Sequence, residues 1–394
     1  MAVLGFLGAV FFAGGFFLLW SLGSWLVGGG GFPGGASPSA AVAAPVLVAS
    51  GDDFTVSPLI DLRAFRDLSY VPVKGIYMTS YGAASNERLT DMIKLADDTE
   101  INAFVIDVKD DLGYVTYKAD IQLAKDEGLI DARIKDIDAL TAKLRQHNII
   151  PIARVVCFKD TKLAEKRPDM AVKWKNGSNW TDFNGLSYTN PYNREVWEYL
   201  VQVAEDAARH GFREIQFDYV RFPSDGKISD AVYPGRNSSK EDAIAAFLAV
   251  ARPRLEKLGV WVSADVFGIT VNPAAGKDSA TIGQNVEKIS KNADIVCPMV
   301  YPSHYDNGSY GIDNPNKDPY NTVLKAMADT RLRLAGTGAM GRPWLQDFSL
   351  RGVTYGVQEV KEQIKAAEEQ GFNEWLLWDP ALKYTEKALR RDDS

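Results

Sequence analysis

Hydrophobic residues follow two alternating patterns from residue 73 to the end of the chain. Short apolar runs with period two predict strands, and longer runs with apolar residues three or four apart predict helices. Strands are predicted at residues 73–81, 102–110, 149–158, in a run that begins at 214, and at 261–267, 294–301, 343–348 and 374–378. The helices predicted between them are 86–99, 134–147, 193–210, 240–258, 282–290, 320–334 and 357–370. Eight strands with intervening helices predict a single α/β domain over residues 70–385, a (β/α)₈ TIM-type barrel. An open doubly wound sheet is the alternative.

The fourth predicted strand carries a polar residue where a barrel would place it inside. Ile215, Phe217 and Tyr219 alternate with Gln216 and Asp218. In a parallel barrel the apolar set lies under the helices, so Asp218 faces the interior near the C-terminal end of its strand. An acid at that place is typical of a catalytic residue, and the alternative is an aspartate that caps the following loop.

The same alternation places other charged residues inside the barrel. It turns Asp107 and Lys109 inward on the second strand, and Asp265 inward on the fifth. Three acids and a lysine would then meet at one mouth, where unpaired burial is costly. They must be solvated, paired with one another or used in catalysis. The alternative is a salt-bridged cluster that only closes the barrel.

Two carboxylates on neighbouring strands suit the cleavage of glycosidic bonds, in which one acid protonates the leaving oxygen and the other attacks or activates water. Arg221 follows Asp218 by three residues, so we expect it to favour the charged form of that acid. Apolar residues flank Asp265 and favour its neutral form. These surroundings predict Asp218 as the nucleophile and Asp265 as the general acid/base.

Residues at the ends of the later strands are candidates for binding a sugar. Tyr301, His304 and Gln346 offer hydrogen-bonding groups, and Trp180 and Trp378 offer faces on which a pyranose ring could stack. The predicted substrate-binding set is completed by Asp107, Lys109 and Arg221. Asp347 has the opposite alternation to Gln346 and is expected to cap a loop.

Composition and residue spacing argue against several classes of partner and cofactor. A net charge of −7 argues against nucleic acid as a partner. His147, His210 and His304 lack the spacing of metal ligands, and no Gly-x-Ser-x-Gly elbow is present, so we expect neither a metal nor another cofactor. Cys157 and Cys297 lie in predicted strands and are expected to be buried thiols. The oligomeric state stays open.

The N-terminal 51 residues contain no charged side chain, and residues 3–27 are almost wholly apolar. This length is sufficient to cross a bilayer, so residues 1–27 predict a retained transmembrane anchor, with a cleaved signal segment as the alternative. Residues 28–58 are rich in Gly, Ala, Pro and Ser and predict a flexible linker. The barrel is then expected outside the cytoplasm, either anchored or secreted.

Five segments resemble a bacterial family of barrel domains assigned to the glycoside hydrolases. They are Asn-Pro-Tyr at 190–192, Phe-Asp-Tyr-Val-Arg-Phe-Pro-Ser-Asp-Gly at 217–226, Ser-Ala-Asp-Val-Phe-Gly at 263–268, Met-Val-Tyr-Pro at 299–302 and Trp-Leu-Gln-Asp-Phe at 344–348. The resemblance covers residues 73–379 and implies a barrel that acts on a polysaccharide at the cell envelope. Together with the apolar N-terminal segment, it predicts a membrane-tethered, extracytoplasmic glycoside hydrolase whose substrate is a polysaccharide or oligosaccharide. A catalytically silent carbohydrate-binding or envelope-scaffold protein with the same cleft is the alternative.

The family is distantly similar to the α-amylase clan, in which an acid on the fourth strand is the nucleophile and one on the fifth is the proton donor. Carried onto this chain, those roles fall on Asp218 and Asp265. Two positions depart from the clan's pattern: Gln216 stands where the clan has arginine, and the acid of the fifth strand is Asp rather than Glu.

Overall fold

The computed structural model describes residues 70–390, apart from the side chains of Ala275, Lys277 and Asp278, and these residues belong to a unit that spans Asp61–Ser394. In chain order the strands are β1 (Lys74–Met78), β2 (Ala103–Lys109), β3 (Val115–Tyr117), β4 (Ile130–Ile134), β5 (Ile150–Val156), β6 (Glu214–Asp218), β7 (Trp261–Phe267), β8 (Ile295–Val300), β9 (Met340–Gly341), β10 (Trp344–Gln346) and β11 (Trp375–Trp378).

Eight of these strands form a closed parallel ring. Their order is β1, β2, β5, β6, β7, β8, β10 and β11, and β11 pairs with β1 again. β3 pairs antiparallel with β2, β4 pairs parallel with β3, and β9 pairs with β8 ahead of β10. The closed ring confirms the predicted (β/α)₈ TIM-type barrel and excludes the open doubly wound sheet.

Helices connect the strands on the outside of the ring. They are α1 (Ser80–Ala84), α2 (Asn86–Asp97), α3 (Gln122–Asp126), α4 (Ile137–Gln146), α5 (Thr161–Lys166), α6 (Arg194–Arg209), α7 (Lys240–Glu256), α8 (Gly276–Ile282), α9 (Val286–Ser290), α10 (Pro319–Leu334) and α11 (Val357–Glu369). Side chains at the N-caps begin several of them. For example, Asn193 Oδ1 accepts the N–H of Glu195 (2.8 Å), and Ser239 Oγ accepts that of Asp242 (3.1 Å).

Two predicted boundaries are wrong because a capping residue interrupts the pattern. The first strand ends at Met78 rather than 81, since Thr79 Oγ1 accepts the N–H of Gly82 (3.0 Å) and starts α1. The predicted helix 282–290 is two helices, because Asn285 Oδ1 accepts the N–H of Lys288 (2.9 Å) and starts α9 afresh.

A buried polar network fills the N-terminal end of the barrel. Arg342 has no exposed surface, and its Nη1 donates to both carboxylate oxygens of Glu214 (2.8 and 2.9 Å). Its Nε donates to Glu374 (3.0 Å), and its Nη2 donates to the hydroxyl of Tyr70 (3.1 Å). Ser263 Oγ also donates to Glu214 (2.6 Å). Because every nitrogen of the guanidinium has an acceptor, this end of the barrel is a closed structural plug.

Several sequence predictions concern features away from the barrel mouth. Cys157 and Cys297 are buried free thiols, as predicted. Within residues 70–390, no helix combines the length and the apolar character that a membrane crossing requires. The predicted anchor or signal at residues 1–27 and the predicted linker at 28–58 lie outside the described residues.

Candidate active site

Four charged side chains meet inside the barrel at the C-terminal ends of neighbouring strands. Asp107 on β2 lies beside Arg154 on β5, and Asp218 is the last residue of β6. Phe217 on β6 pairs with Ala264 on the neighbouring strand β7. Asp218 and Asp265 are the next residues on these two strands, so the same register places the two acids side by side. All four side chains are buried. The alternation therefore predicted the inward positions of the three acids correctly.

Arg154 holds the acids of β2 and β6 together. Its Nε and Nη2 donate to Asp218 Oδ2 (2.9 and 2.6 Å), and its Nη1 donates to Asp107 Oδ1 (2.7 Å). Nη2 also donates to Asp111 (3.1 Å), which follows β2. These charge-assisted hydrogen bonds give the buried carboxylates a counter-charge.

The predicted partner of Asp218 was Arg221, and this prediction is wrong. Arg221 Nη1 donates to the carbonyl of Phe222 and to Ser224 Oγ (both 3.0 Å). Its guanidinium lies 4.7 Å from the ring of Tyr219 and 4.4 Å from the ring of Phe267. The chain turns sharply after Asp218, because Tyr219 has a left-handed φ of 48°, and the turn carries Arg221 into the loop rather than toward the acid.

Asp265 has a drier environment than Asp218. One oxygen, Oδ1, accepts from Gln216 Nε2 (2.6 Å) and from Trp344 Nε1 (2.9 Å). Among residues 70–390, no side chain or backbone group donates to its Oδ2. Burial, and next the nearby charge of Asp218, raises the pKa of Asp265 well above its usual range. A protonated carboxyl with one unpaired oxygen can donate its proton to a ligand.

Asp107 is confirmed as an inward residue and is held on both sides. Tyr77 donates its hydroxyl to Asp107 Oδ2 (2.6 Å), opposite the bond from Arg154. Burial raises the pKa of Asp107 to about 6, although Arg154 opposes the change. Both oxygens already have partners, so Asp107 positions Arg154 and Tyr77 rather than offering a vacant acceptor.

Lys109 does not reach the mouth, contrary to the prediction from alternation. A bulge between Asp107 and Lys109 shifts the register, so that Lys109 lies beside Val155. Its side chain is fully buried, and its Nζ donates to the carbonyl of Val156 (2.8 Å) and pairs with Asp160 (2.7 Å). With no exposed surface, Lys109 has a structural rather than a substrate-facing position.

Aromatic residues lie beside the charged cluster. The half-buried indole of Trp378 stacks on Tyr77, with ring centres 3.9 Å apart, and lies 5.3 Å from the guanidinium of Arg154. Tyr301 follows β8, and burial together with the charges of Asp265 and Asp218 raises the pKa of its phenol well above the usual range. It is therefore a neutral phenol near both acids. The role of Trp378 and Tyr301 in binding a sugar stays a prediction.

His304 and Gln346 differ in whether their polar groups are free to contact a ligand. His304 is exposed, and its Nδ1 lies 3.0 Å from Ser303 Oγ. Gln346 is fully buried, and its amide donates to the carbonyl of Phe348 (2.8 Å) and accepts from the N–H of Ser303 (3.1 Å). The geometry thus gives Gln346 a role in fixing two loops, whereas His304 can contact a ligand.

Trp180 is not in the mouth. It is fully buried in a separate small cluster with Val172 and Tyr188, inside the long connection between β5 and α6. Gly226 packs so closely on it that a Cβ there would lie 2.8 Å from the indole. The prediction that Trp180 stacks on a sugar is wrong, because a connection of this length builds a core of its own.

Sequence reasoning missed Arg154, Tyr219 and Lys159. Arg154 had a readable signal, since it is the one charged residue in the apolar run 150–156 and the alternation test would have turned it inward. Tyr219 and Lys159 had none, because their directions depend on the turn after Asp218. Lys159 Nζ lies 3.3 Å from the hydroxyl of Tyr219 and 3.6 Å from Asp111 Oδ2.

The described part of the chain contains no group of three or more His, Cys, Asp or Glu side chains that could hold a metal ion. Asp110, one of two acids directly after β2, instead accepts the N–H groups of Leu112, Gly113 and Tyr114 through Oδ1 (3.0 Å each). Arg133 donates to its other oxygen (2.7 Å). This aspartate therefore builds the turn.

Comparisons with known proteins concern the family and the fold. Residues 75–384 match a family model described as "Putative glycosyl hydrolase domain". The chain is similar to the glycoside hydrolase domain of PgaB (BpsB) from Bordetella bronchiseptica, with 13% identity and a TM-score of 0.57 over 81% of this chain and 99% of that one. At this identity the likeness shows the barrel fold.

Two other solved structures are similar to this chain, but each alignment covers only part of one of the two chains. A hypothetical protein from Ruminiclostridium thermocellum has 41% identity and a TM-score of 0.46 over 48% of this chain and 97% of its own. The α-galactosidase TtGalA from Thermus thermophilus, in complex with stachyose, has 16% identity and a TM-score of 0.50 over 83% of this chain and 66% of its own. No curated protein matches the chain.

Proposed function

The chain belongs to the family described as "Putative glycosyl hydrolase domain", and we propose that it hydrolyses O-glycosidic bonds of a polysaccharide with retention of configuration. Asp218 is the nucleophile and Asp265 is the general acid/base. The observation that carries this proposal is the contrast between two neighbouring carboxyl groups. Asp218 is paired with a guanidinium, and Asp265 is buried with a strongly raised pKa.

The contrast supplies the two groups that the reaction needs: an acid positioned by a guanidinium and a buried proton donor beside it. In the first step, Asp265 gives its proton to the leaving oxygen while Asp218 bonds to the anomeric carbon. In the second, Asp265 takes a proton from water, and the resulting hydroxide displaces Asp218 and releases the sugar. Adjacent strands lie about 4.8 Å apart, which suits the roughly 5–5.5 Å carboxyl separation of retaining enzymes better than the roughly 6.5–9.5 Å of inverting ones.

The mouth favours a carbohydrate as the ligand. The exposed part of Trp378 can stack on a pyranose face, while Tyr301 and His304 can contact hydroxyl groups. The similarity to an α-galactosidase bound to stachyose, itself an oligosaccharide, supports the same class of substrate. The aromatic rings and the charged groups beside them can thus contact the same sugar.

We also propose that the barrel acts outside the cytoplasm and is tethered to the membrane through residues 1–27. The proposal rests on the length and composition of that apolar segment and on the uncharged, Gly- and Pro-containing stretch that follows. Cell fractionation of the full chain, with protease added outside intact cells, tests it. Recovery of the barrel in the cytosol would contradict it.

The enzymatic proposal is tested by reducing-end release from chitin, chitosan, xylan, starch, galactan and β-glucan. Wild type should cleave at least one of these polysaccharides, and Asp218→Asn should retain binding to it without turnover. Binding by wild type without reducing-end release would instead favour the silent carbohydrate-binding protein.

The two roles are separated by aryl glycosides and azide. A good leaving group needs little protonation, so it should rescue glycosylation in Asp265→Ala but not in Asp218→Ala. Azide should restore turnover to Asp265→Ala and give a glycosyl azide of retained configuration, because it replaces activated water in the second step. A retained azide product from Asp218→Ala together with an inverted one from Asp265→Ala would show that the roles are reversed.

A further inference from the structure

Tyr219, directly after Asp218, is held in a backbone conformation that a tyrosine rarely adopts. Its φ of 48° is in the left-handed region, which residues other than glycine adopt only when the surrounding structure holds them there. Two hydrogen bonds keep it there: its N–H donates to Asp218 Oδ1 (2.6 Å), and its carbonyl accepts the N–H of Phe158 (3.2 Å). The candidate nucleophile and the strained residue therefore fix each other.

The strained turn reverses the direction of the side chain. Simple alternation would place Tyr219 under the helices with Ile215 and Phe217, and both of those are fully buried. Instead Tyr219 is half-buried, with the Nζ of Lys159 4.6 Å from its ring centre and the guanidinium of Arg221 4.7 Å from it. Two cations thus clamp one phenol beside Asp218.

Its hydroxyl has one unused hydrogen. Burial, and next the charge of Asp111, raises the pKa of Tyr219 above its ordinary value, so the phenol keeps its proton. Burial opposes protonation of Lys159, but Tyr219 and Asp111 raise the pKa of that ammonium above its usual range. An ammonium can only donate, so the phenol oxygen is the acceptor of the 3.3 Å contact with Lys159 Nζ. Within residues 70–390, no group accepts the phenol's own hydrogen.

A chain of side-chain contacts connects the hydroxyl to the candidate nucleophile. Lys159 Nζ is 3.6 Å from Asp111 Oδ2, and Asp111 accepts from the same Arg154 nitrogen that donates to Asp218. The contacts therefore run from the phenol, through Lys159, Asp111 and Arg154, to Asp218. A sugar bound for attack by Asp218 would have hydroxyl groups within reach of this side of the mouth.

We propose that Tyr219 is a specificity-determining residue that donates a hydrogen bond to a hydroxyl group of the sugar attacked by Asp218, and that Lys159 is the positioning residue that orients its phenol. The inference rests on the proposed glycoside hydrolysis. A site built to donate to a hydroxyl discriminates against sugars that lack it, since its polar group is then left unpaired.

Three variants test the inference on the polysaccharide that wild type cleaves fastest in the panel above. Tyr219→Phe keeps the ring, the turn and both cation contacts and removes only the hydroxyl, so kcat/KM should fall roughly three- to tenfold. Lys159→Met should also lower kcat/KM, but it should add little to the loss in Tyr219→Phe, because both changes act through one hydrogen bond. Tyr310→Phe is the control, since Tyr310 also has a left-handed φ (57°) but packs against Tyr305. It should retain wild-type kinetics.

A structural role would give different results. The urea midpoint of Tyr219→Phe should equal that of wild type, and binding of the same polysaccharide should weaken by the same factor in Asp218→Asn/Tyr219→Phe relative to Asp218→Asn. Unchanged kcat/KM in Tyr219→Phe with an active wild type would overturn this inference alone. So would a loss that is fully additive with Lys159→Met. A wild type that cleaves none of the panel would overturn the proposed hydrolysis and this inference with it.

Discussion

At the scale of single residues, Arg154 has the most demanding position in the mouth. Its fork donates four hydrogen bonds to three aspartates, and its guanidinium lies 5.6 Å from Tyr77 and 5.3 Å from Trp378. Buried carboxylates are stable only when paired, and the planar guanidinium can pair with several at once. Lysine has the charge but not the fork.

The first prediction therefore compares two replacements of Arg154. Arg154→Met leaves Asp218 and Asp107 buried without a counter-charge, so we expect it to lower the free energy of unfolding by about 3–5 kcal/mol. Arg154→Lys should recover part of that stability and little of kcat, because one ammonium cannot bridge β2 and β6. Urea unfolding and reducing-end release measure the two effects. A fully active Arg154→Lys would show that the bridge is dispensable for turnover.

At the scale of strands and loops, alternation predicted the site wherever the strands stay regular. It placed Asp107, Asp218 and Asp265 inside because β2, β6 and β7 are regular up to those residues. It failed at Lys109, where a bulge adds one residue, and at Tyr219, where the strand ends in a left-handed turn. Both irregularities are set by contacts between distant segments, which the local pattern does not contain.

The segment after β11 is another element that long-range contacts fix. As expected, Asp347 caps a loop: its two oxygens accept the N–H (2.8 Å) and the hydroxyl (2.6 Å) of Thr385. Next to it, Tyr384 donates to the carbonyl of Tyr77 on β1 (2.6 Å). These bonds tie the C-terminal segment to the barrel next to the wall formed by Tyr77 and Trp378.

The stabilisation that Asp347 contributes to the fold should depend on pH. Burial raises the pKa of Asp347 to about 7, so between about pH 4 and 7 the folded chain binds this proton more tightly than the unfolded chain does. The contribution of Asp347 is therefore fully present below about pH 4 and is lost as the pH rises through 7. Relative to Asp347→Asn, wild type should lose at most about 4 kcal/mol of unfolding free energy across this window.

Urea unfolding at several pH values measures the difference. Thr385→Val is the matched control, because it removes one bond to Asp347 but keeps the titrating group, and it should retain the pH dependence. A constant difference between wild type and Asp347→Asn from pH 4 to 7 would contradict the prediction.

At the scale of the whole molecule, the two ends of the barrel differ in how completely their polar groups are paired. At the N-terminal end, every nitrogen of Arg342 has an acceptor. At the C-terminal end, the described residues leave Asp265 Oδ2 and the hydroxyl hydrogen of Tyr219 without a partner. Buried polar groups are normally satisfied, so the end that leaves groups unpaired is the end prepared for a ligand.

The closed end includes Tyr70, and its contacts lead to the last prediction. Tyr70 donates to Glu374 (2.6 Å) and accepts from Arg342, and its ring lies 4.7 Å from that of Trp261. A variant lacking residues 1–60 keeps all of these contacts, so it should leave the membrane fraction and unfold cooperatively with the kinetics of the full chain. A variant lacking residues 1–72 loses Tyr70 and leaves the Nη2 of Arg342 without its acceptor. Its free energy of unfolding should be lower by about 1–3 kcal/mol, with kcat unchanged, because the plug lies at the end opposite the acids. Equal urea midpoints for the two variants would show that Tyr70 contributes nothing to the plug. An unfolded product from the shorter deletion would show that residues before 61 belong to the fold.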